Sequence, residues 1–266
     1  MKTKSIIFTL LTLIHVSGWS SDKIVKIATL TGYPPFCFDE PAGTASVSNS
    51  IPPGMDAKSF KGISWDVVRE SFAAVDYTIQ LELVPWVRVM NYLENNQVDL
   101  CFPAVKTDGR GELYYFSKNP VDRQQFVIYV RKDSPLQWDG LKSLSGLTIG
   151  TMREWSFGQR FETADFFKKV SNTEIIIGLQ NLNLGRVDGV VGYEISYDYE
   201  LTKAGMLNVF KKLPPFDYSD EFMMGLKNNT KSKLLLDEFD RGYEVIQKNG
   251  ILQSVKAKWK ISNANN

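Results

Sequence analysis

The chain has 266 residues, with 31 Lys and Arg, 30 Asp and Glu, a single His and a formal charge of +1. Hydrophobic residues make up 43% and charged residues 23%, which supports a packed core of one large or two modest domains and excludes a disordered or fibrous chain. A balance this close to neutral, with scattered lysines, argues against nucleic acid or an anionic membrane as the main partner.

The first residues read as a secretory signal. Lys2 and Lys4 form a positive start, residues 6–14 a short apolar stretch, and Val16, Gly18 and Ser20 permissive positions for cleavage near 18–20. The apolar stretch is too short to span a bilayer and no later segment is long enough. No cysteine sits near the cleavage region to take a lipid anchor. The expectation is a free periplasmic protein that has lost residues 1–20. That loss removes two lysines and no acid, so the charge becomes −1, and it also removes the only histidine, His15. A chain without histidine lacks Ser-His-Asp and Cys-His catalysis and the commonest metal ligand, so neither metal nor cofactor is expected. Cys37 and Cys101 do not make a structural zinc site by themselves. In an oxidising compartment they form one disulfide or stay as two buried thiols, and spacing alone does not decide between these.

In chain order, residues 23–30 form a β-branched run with the pattern of a buried strand. Thr31-Gly32-Tyr33-Pro34-Pro35-Phe36 breaks it with turn chemistry. Residues 41–57, rich in Gly, Ser, Ala and Pro, read as an exposed loop or flap. Ser64 is placed to cap a helix carrying Trp65, Val68 and Phe72 on one stripe. Residues 77–83 alternate as a half-buried strand, and Trp86, Val89, Met90 and Leu93 fall at helical spacing. Strands are expected at 98–105, 126–130, 147–151, 174–178 and 187–191, with a helix at 157–170. Two helices close the chain, one near 231–247 and one carrying Leu252, Val255 and Trp259. Strand–helix alternation of this kind gives an α/β architecture with mostly parallel sheets.

Several segments carry a family resemblance. Tyr33-Pro34-Pro35-Phe36, Gly62-Ile63-Ser64-Trp65-Asp66, Pro85-Trp86-Val87-Arg88, Gln97-Val98-Asp99, Thr107-Asp108-Gly109-Arg110, Phe116-Ser117 with Pro120, the run 144–150, Gly185-Arg186-Val187-Asp188, and Asn249-Gly250-Ile251 with Lys258-Trp259 stand in the order found in the family-3 extracellular solute-binding proteins. These serve polar amino-acid ABC transporters. The sequence resembles that family over about residues 22–260, in a branch with a Pro-Trp-x-Arg variant. The resemblance implies a type II periplasmic binding fold: two α/β lobes joined by two crossing strands, with the ligand in the cleft between them. Lobe 1 would hold about 22–118 and 222–262, and lobe 2 about 119–221.

The resemblance also points to ligand-binding residues. Arg110 follows a strand end, where α/β clefts place ligand groups, and an arginine supplies the planar paired donors that a buried carboxylate needs. The segment Pro103-Ala104-Val105 would offer backbone groups, with Val105 standing where a hydroxyl residue is usual. Tyr33 would stack on the ligand. In lobe 2, Ser156 would cap a helix whose amides attract an anion, beside Trp155, with Glu154 where a glycine is usual. The family's amine-binding acid falls at Tyr193, with Glu194 next. Either Glu194 takes that role after a one-residue shift, or the ligand lacks a standard α-amino group. Trp86 is read as core or cleft, and Arg88 as solvent-facing or anion-neutralising.

The function implied is periplasmic binding of a small carboxylate-bearing solute, delivered by a monomer to an ABC permease, and not catalysis. Two alternatives remain open. One is a cyclohexadienyl or arogenate type of dehydratase using Glu154 or Glu194 as acid. The other is a ligand-sensing module for a membrane partner.

Overall fold

The computed structural model describes residues 23–153 and 155–259. The expected signal at 1–20, Glu154 and the part of lobe 1 beyond residue 259 lie outside the described residues. Strand β1 (Ile24–Thr29) is followed by β2 (Phe38–Asp39), β3 (Ser48–Ile51), β4 (Phe60–Lys61), α1 (Ile63–Ala73), β5 (Thr78–Leu83), α2 (Trp86–Glu94), β6 (Leu100–Val105) and the single-turn α3 (Asp108–Leu113). The long β7 (Tyr114–Arg131) then crosses into a second half made of β8 (Thr148–Met152), α4 (Gln159–Glu162), β9 (Lys168–Asn172), α5 (Ile175–Asn183), β10 (Gly189–Tyr193), α6 (Glu194–Lys203) and β11 (Phe210–Lys212). Strand β12 (Asp217–Leu226) crosses back, and α7 (Ser232–Lys248) and α8 (Ile251–Lys258) pack on the first half.

The strand order is β3-β5-β1-β6-β12-β7-β10-β8-β9, with β11 also on β7. Each half has a parallel centre, β5-β1-β6 in one and β10-β8-β9 in the other. All pairings of β3, β7, β11 and β12 are antiparallel. The expected mostly parallel sheets are therefore corrected to mixed ones. The cause is that β7 and β12 run in opposite directions between the halves and pair with each other along their length.

Two apolar clusters cover the two faces of the first half, one around Val25, Trp65, Phe72 and Phe239, the other around Ala28, Val89, Cys101 and Met224. Two more cover the second half, around Phe126, Phe157 and Phe161, and around Tyr129, Leu179 and Tyr197. Each large side chain fully buried there contributes roughly 2–3 kcal/mol. The start of α1 is fixed by Gly62. Its φ of 147° is one that a side chain tolerates poorly, and a Cβ would stand 1.9 Å from the Phe36 carbonyl oxygen. This close approach clamps the Tyr33–Phe36 turn against the helix, where Ile63 N–H donates to the Pro35 carbonyl at 2.9 Å. Asp66, 1% exposed, accepts from Lys258 Nζ at 2.7 Å and Trp259 Nε1 at 2.8 Å, tying α1 to the C-terminal helix.

Four further local expectations are corrected. The helix expected at 157–170 is one turn, α4, followed by strand β9. Its aromatic residues Phe157, Phe161 and Phe167 do share one core, but not along a continuous helix. The strand expected at 174–178 is the start of helix α5. There Leu179 and Leu182 are buried and Ile175 packs with them, a spacing that overrides the weak β-preference of three consecutive isoleucines. The loop at 41–57 contains β3, which adds to the sheet edge beside β5. Ser64 does not cap α1. The cap position is Gly62, and the Ser64 hydroxyl is fully buried and donates to Asp122 Oδ2.

Candidate ligand-binding cleft

The sequence-predicted site residues cluster at the carboxyl ends of the parallel strands. The Tyr33 turn follows β1, α3 follows β6, Trp155 and Ser156 follow β8, and Tyr193 ends β10. Such ends are where open α/β sheets bind ligands. The two sets of strand ends meet beside the crossing strands, and the halves touch where the rings of Phe38 and Tyr199 lie 5.8 Å apart.

In the first half, Arg110 sits in the α3 turn, whose start is capped by Thr107 Oγ1 accepting from Arg110 N–H at 3.3 Å. Arg110 Nη1 donates to the Val105 carbonyl at 2.9 Å, and its guanidinium carbon lies 5.9 Å from the centre of the half-buried Trp86 ring. One carbonyl and one aromatic face thus hold the guanidinium at the strand end, leaving most of its donors for other partners. Pro103 is buried one residue before Ala104 in the same strand. Arg88 is exposed on α2. Tyr33 packs on Phe36 with ring centres 5.0 Å apart, and its hydroxyl donates to Glu221 Oε2 at 3.3 Å.

The second half presents aromatic rings. Trp155 stacks on Tyr193 at 4.4 Å, and Tyr193 stacks in turn on Phe126 at 5.3 Å. The Tyr193 hydroxyl donates to the Ser156 carbonyl at 2.9 Å. Ser156 itself is exposed and caps no helix, because α4 begins later, at Gly158, without a side-chain cap. That expectation is corrected, since a four-residue helix after an extended stretch leaves Ser156 outside it. Glu194 opens α6 directly after β10, and its carboxylate meets Lys212 Nζ at 2.5 Å.

Between the halves lies a pair of acids that the sequence reading did not single out. Asp122 on β7 and Glu221 on β12 are register partners, 9% and 8% exposed. Gln124 Nε2 donates to Asp122 Oδ1 at 2.8 Å and to Glu221 Oε2 at 3.5 Å. Burial is the main cause that raises both carboxyls above the usual range, Asp122 to about 6 and Glu221 well above its ordinary value. Burial and then Glu221 likewise push the Tyr33 phenol up.

Cys37 and Cys101 are free buried thiols, which corrects the disulfide alternative. Cys37 lies beside Thr29, whose Oγ1 is 3.7 Å from the sulfur and donates to the Phe102 carbonyl at 2.7 Å. Cys101 belongs to the cluster on the opposite sheet face. The sheet separates the two side chains, as the alternation of a strand requires. Burial pushes both thiols up, Cys101 to about 12.

Residues 25–262 match the bacterial extracellular solute-binding proteins, family 3. The chain belongs to that family. Solved structures with the same fold include substrate-binding domain 2 of GlnP from Lactococcus lactis in an open conformation (16% identity, 92% of this chain and 98% of that one, TM-score 0.69). A polar amino acid ABC uptake transporter substrate-binding protein from Streptococcus thermophilus is also similar (22% identity, 89% and 85% covered, TM-score 0.65). So is a histidine kinase sensor domain with similarity to periplasmic binding proteins (18% identity, 90% and 96% covered, TM-score 0.62). A comparison with curated protein sequences found no match. The family places the chain among two-lobed, type II periplasmic-binding-protein-like folds. Asp122, Gln124 and Glu221 lie in its crossing strands. Their one sequence signal was polar residues interrupting two strand-forming runs, at 122–125 and 217–221.

Proposed function

We propose that the protein binds a small carboxylate-bearing solute, an amino acid or related organic acid, by hinge closure about β7 and β12 and delivers it to an ABC permease. Arg110 carries this reading. Its guanidinium is oriented at a strand end by Val105 and Trp86, the arrangement in which paired N–H donors bind a carboxylate. In this reading lobe 1 comprises about 22–118 and 222–262 and lobe 2 about 119–221. The segregation of apolar clusters into first-half and second-half groups supports that division, with Val121 on crossing strand β7 still packed in a first-half cluster. The protein acts as a monomer in the periplasm after losing residues 1–20, and it performs no catalysis. For the dehydratase alternative, Glu194 is committed to Lys212. The sensor alternative is favoured by one observation, the fold shared with a histidine kinase sensor domain.

Thermal-shift screening of amino acids, dicarboxylates and aromatic acids tests the reading, since a ligand of the folded state raises the melting temperature. With the ligand so found, Arg110→Ala is expected to weaken binding by about tenfold or more in calorimetry. Unchanged affinity in a folded variant defeats the assignment. Turnover of prephenate or arogenate defeats the non-catalytic reading.

A further inference from the structure

A ligand held by Arg110 alone leaves the Asp122–Glu221 pair without a role, although burying two acids is costly. Among the described residues no lysine or arginine forms an ion pair with either carboxylate. Arg123, next in sequence, is turned outward to Asp220 at 2.6 Å and lies over the Tyr218 ring. The donors supplied to the pair come from Tyr33, Ser64 and Gln124, and the two carboxyls also hydrogen-bond to each other. Gln124 is 1% exposed. Its Nε2 is shared between the two acids, and its Oε1 has no hydrogen-bond partner. The cluster is therefore rich in acceptors, with one buried acceptor unpaired, and among the described residues it has no positive charge beside it. Through the backbone it also adjoins the strand end that carries the proposed anion site. Glu221 is the register partner of Val105, which places their Cα atoms about 5 Å apart, and the Val105 carbonyl is the one that holds Arg110.

We propose that Asp122, Glu221 and the Gln124 carboxamide receive an N–H-bearing cationic group of the ligand, so that the bound solute is a zwitterion reaching from Arg110 to the crossing strands. The inference rests on the preceding reading for its anionic end. An ammonium brings three donors and a positive charge, which answers the unpaired acceptor and the missing charge at once. A metal ion fits less well, because among the described residues no group of three His, Cys, Asp or Glu side chains is arranged to hold one. The second half does not offer the acid expected there, since Tyr193 uses its hydroxyl as a donor to Ser156.

Binding then carries a proton signature. Burial raises the proton affinity of both carboxyls, and an arriving cation favours their ionised forms, so binding shifts the pair towards proton release. The titratable groups facing the pair are Tyr33 and Cys37 from the first half and Tyr193 from the second, all pushed up and neutral. Asp220 also adjoins it from β12, bound to Arg123. The released proton therefore comes from the pair itself.

The test uses the proteinogenic L-amino acids, the matching deaminated carboxylic acids and the matching decarboxylated amines. Each is measured by thermal shift and then calorimetry against wild type, Glu221→Gln and Arg110→Ala. Glu221→Gln is expected to weaken an amino acid by about tenfold or more while changing its deaminated partner by less than about twofold. Wild type at pH 7 should release protons on binding, read from heats in two buffers of different ionisation enthalpy. A deaminated acid as the tightest probe, or equal losses for both partners, overturns the cation site and leaves the carboxylate reading standing. An amine that binds, loses affinity in Glu221→Gln and is indifferent to Arg110→Ala keeps the cation site and overturns the carboxylate reading. No binding across the panel overturns both. If Glu221→Gln does not fold, the wild-type proton count decides, and binding without proton release overturns the inference.

Discussion

The two walls of the cleft are built from different chemistry on the same scaffold. The first half brings charge and hydrogen bonding to its strand ends, through Arg110, Tyr33 and the buried Ser64. The second half brings a stack of rings, Trp155 on Tyr193 on Phe126, whose one polar tip is already bonded to Ser156. Both walls use the same feature, the carboxyl edge of a parallel sheet, so the contrast comes from side chains and not from topology. In the proposed reading one half and the crossing strands take the ligand's charges while the other supplies a rigid apolar face.

Three substitutions can break that contrast. The largest effect is expected for Phe126→Ala. The ring is 2% exposed and packs against Tyr193, Phe157 and Phe216, so its loss should cost about 3–5 kcal/mol of stability. Denaturant unfolding measures this, and a loss below about 1 kcal/mol would mean the stack is not structural.

Next comes Asp122→Asn. Unfolded, the Asp122 carboxyl ionises near 4; folded, burial raises it to about 6. Its contribution to stability is thus full below pH 4 and falls as pH rises through 6, by about 3 kcal/mol for a shift of roughly two units. Glu221 acts in the same direction. Wild type should lose stability from pH 4 to 8 relative to Asp122→Asn, and parallel melting curves for the two across that range would contradict the burial of a raised acid at the crossing.

The smallest effect is expected for Glu194→Gln. Its partner Lys212 is also shared with Asp198, and the side chains are 25% and 33% exposed, so about 0.5 kcal/mol or less is at stake. Ligand affinity should stay unchanged. A large loss of affinity would show that Glu194 reaches the ligand after all and would return an acid to the second wall.

Much of the fold could be read in the residues because it rests on local pattern. Helix α1 follows from Trp65, Val68 and Phe72 on one stripe, and Arg110 at a strand end follows from the spacing of β6 and the turn after it. The failures have a common cause. Residues 157–183 carry apolar residues that satisfy either period, and only the shared core around Phe161 and the cluster around Leu179 decides where strand gives way to helix. Ser64 has the chemistry of a cap, but a buried carboxylate from residue 122 claims its hydroxyl.

By itself, the sequence determined the α/β class, the family, the absence of histidine after residue 15 and the position of Arg110. These depend on composition, short-range periodicity and ordered motifs, all of which are written along the chain. Tertiary structure alone decided that Cys37 and Cys101 lie on opposite faces of a sheet, that Glu194 turns to Lys212, and that Asp122 meets Glu221. Each of these pairs residues far apart in sequence. Their meeting depends on strand register and on which face each strand turns inward, and no local pattern records either.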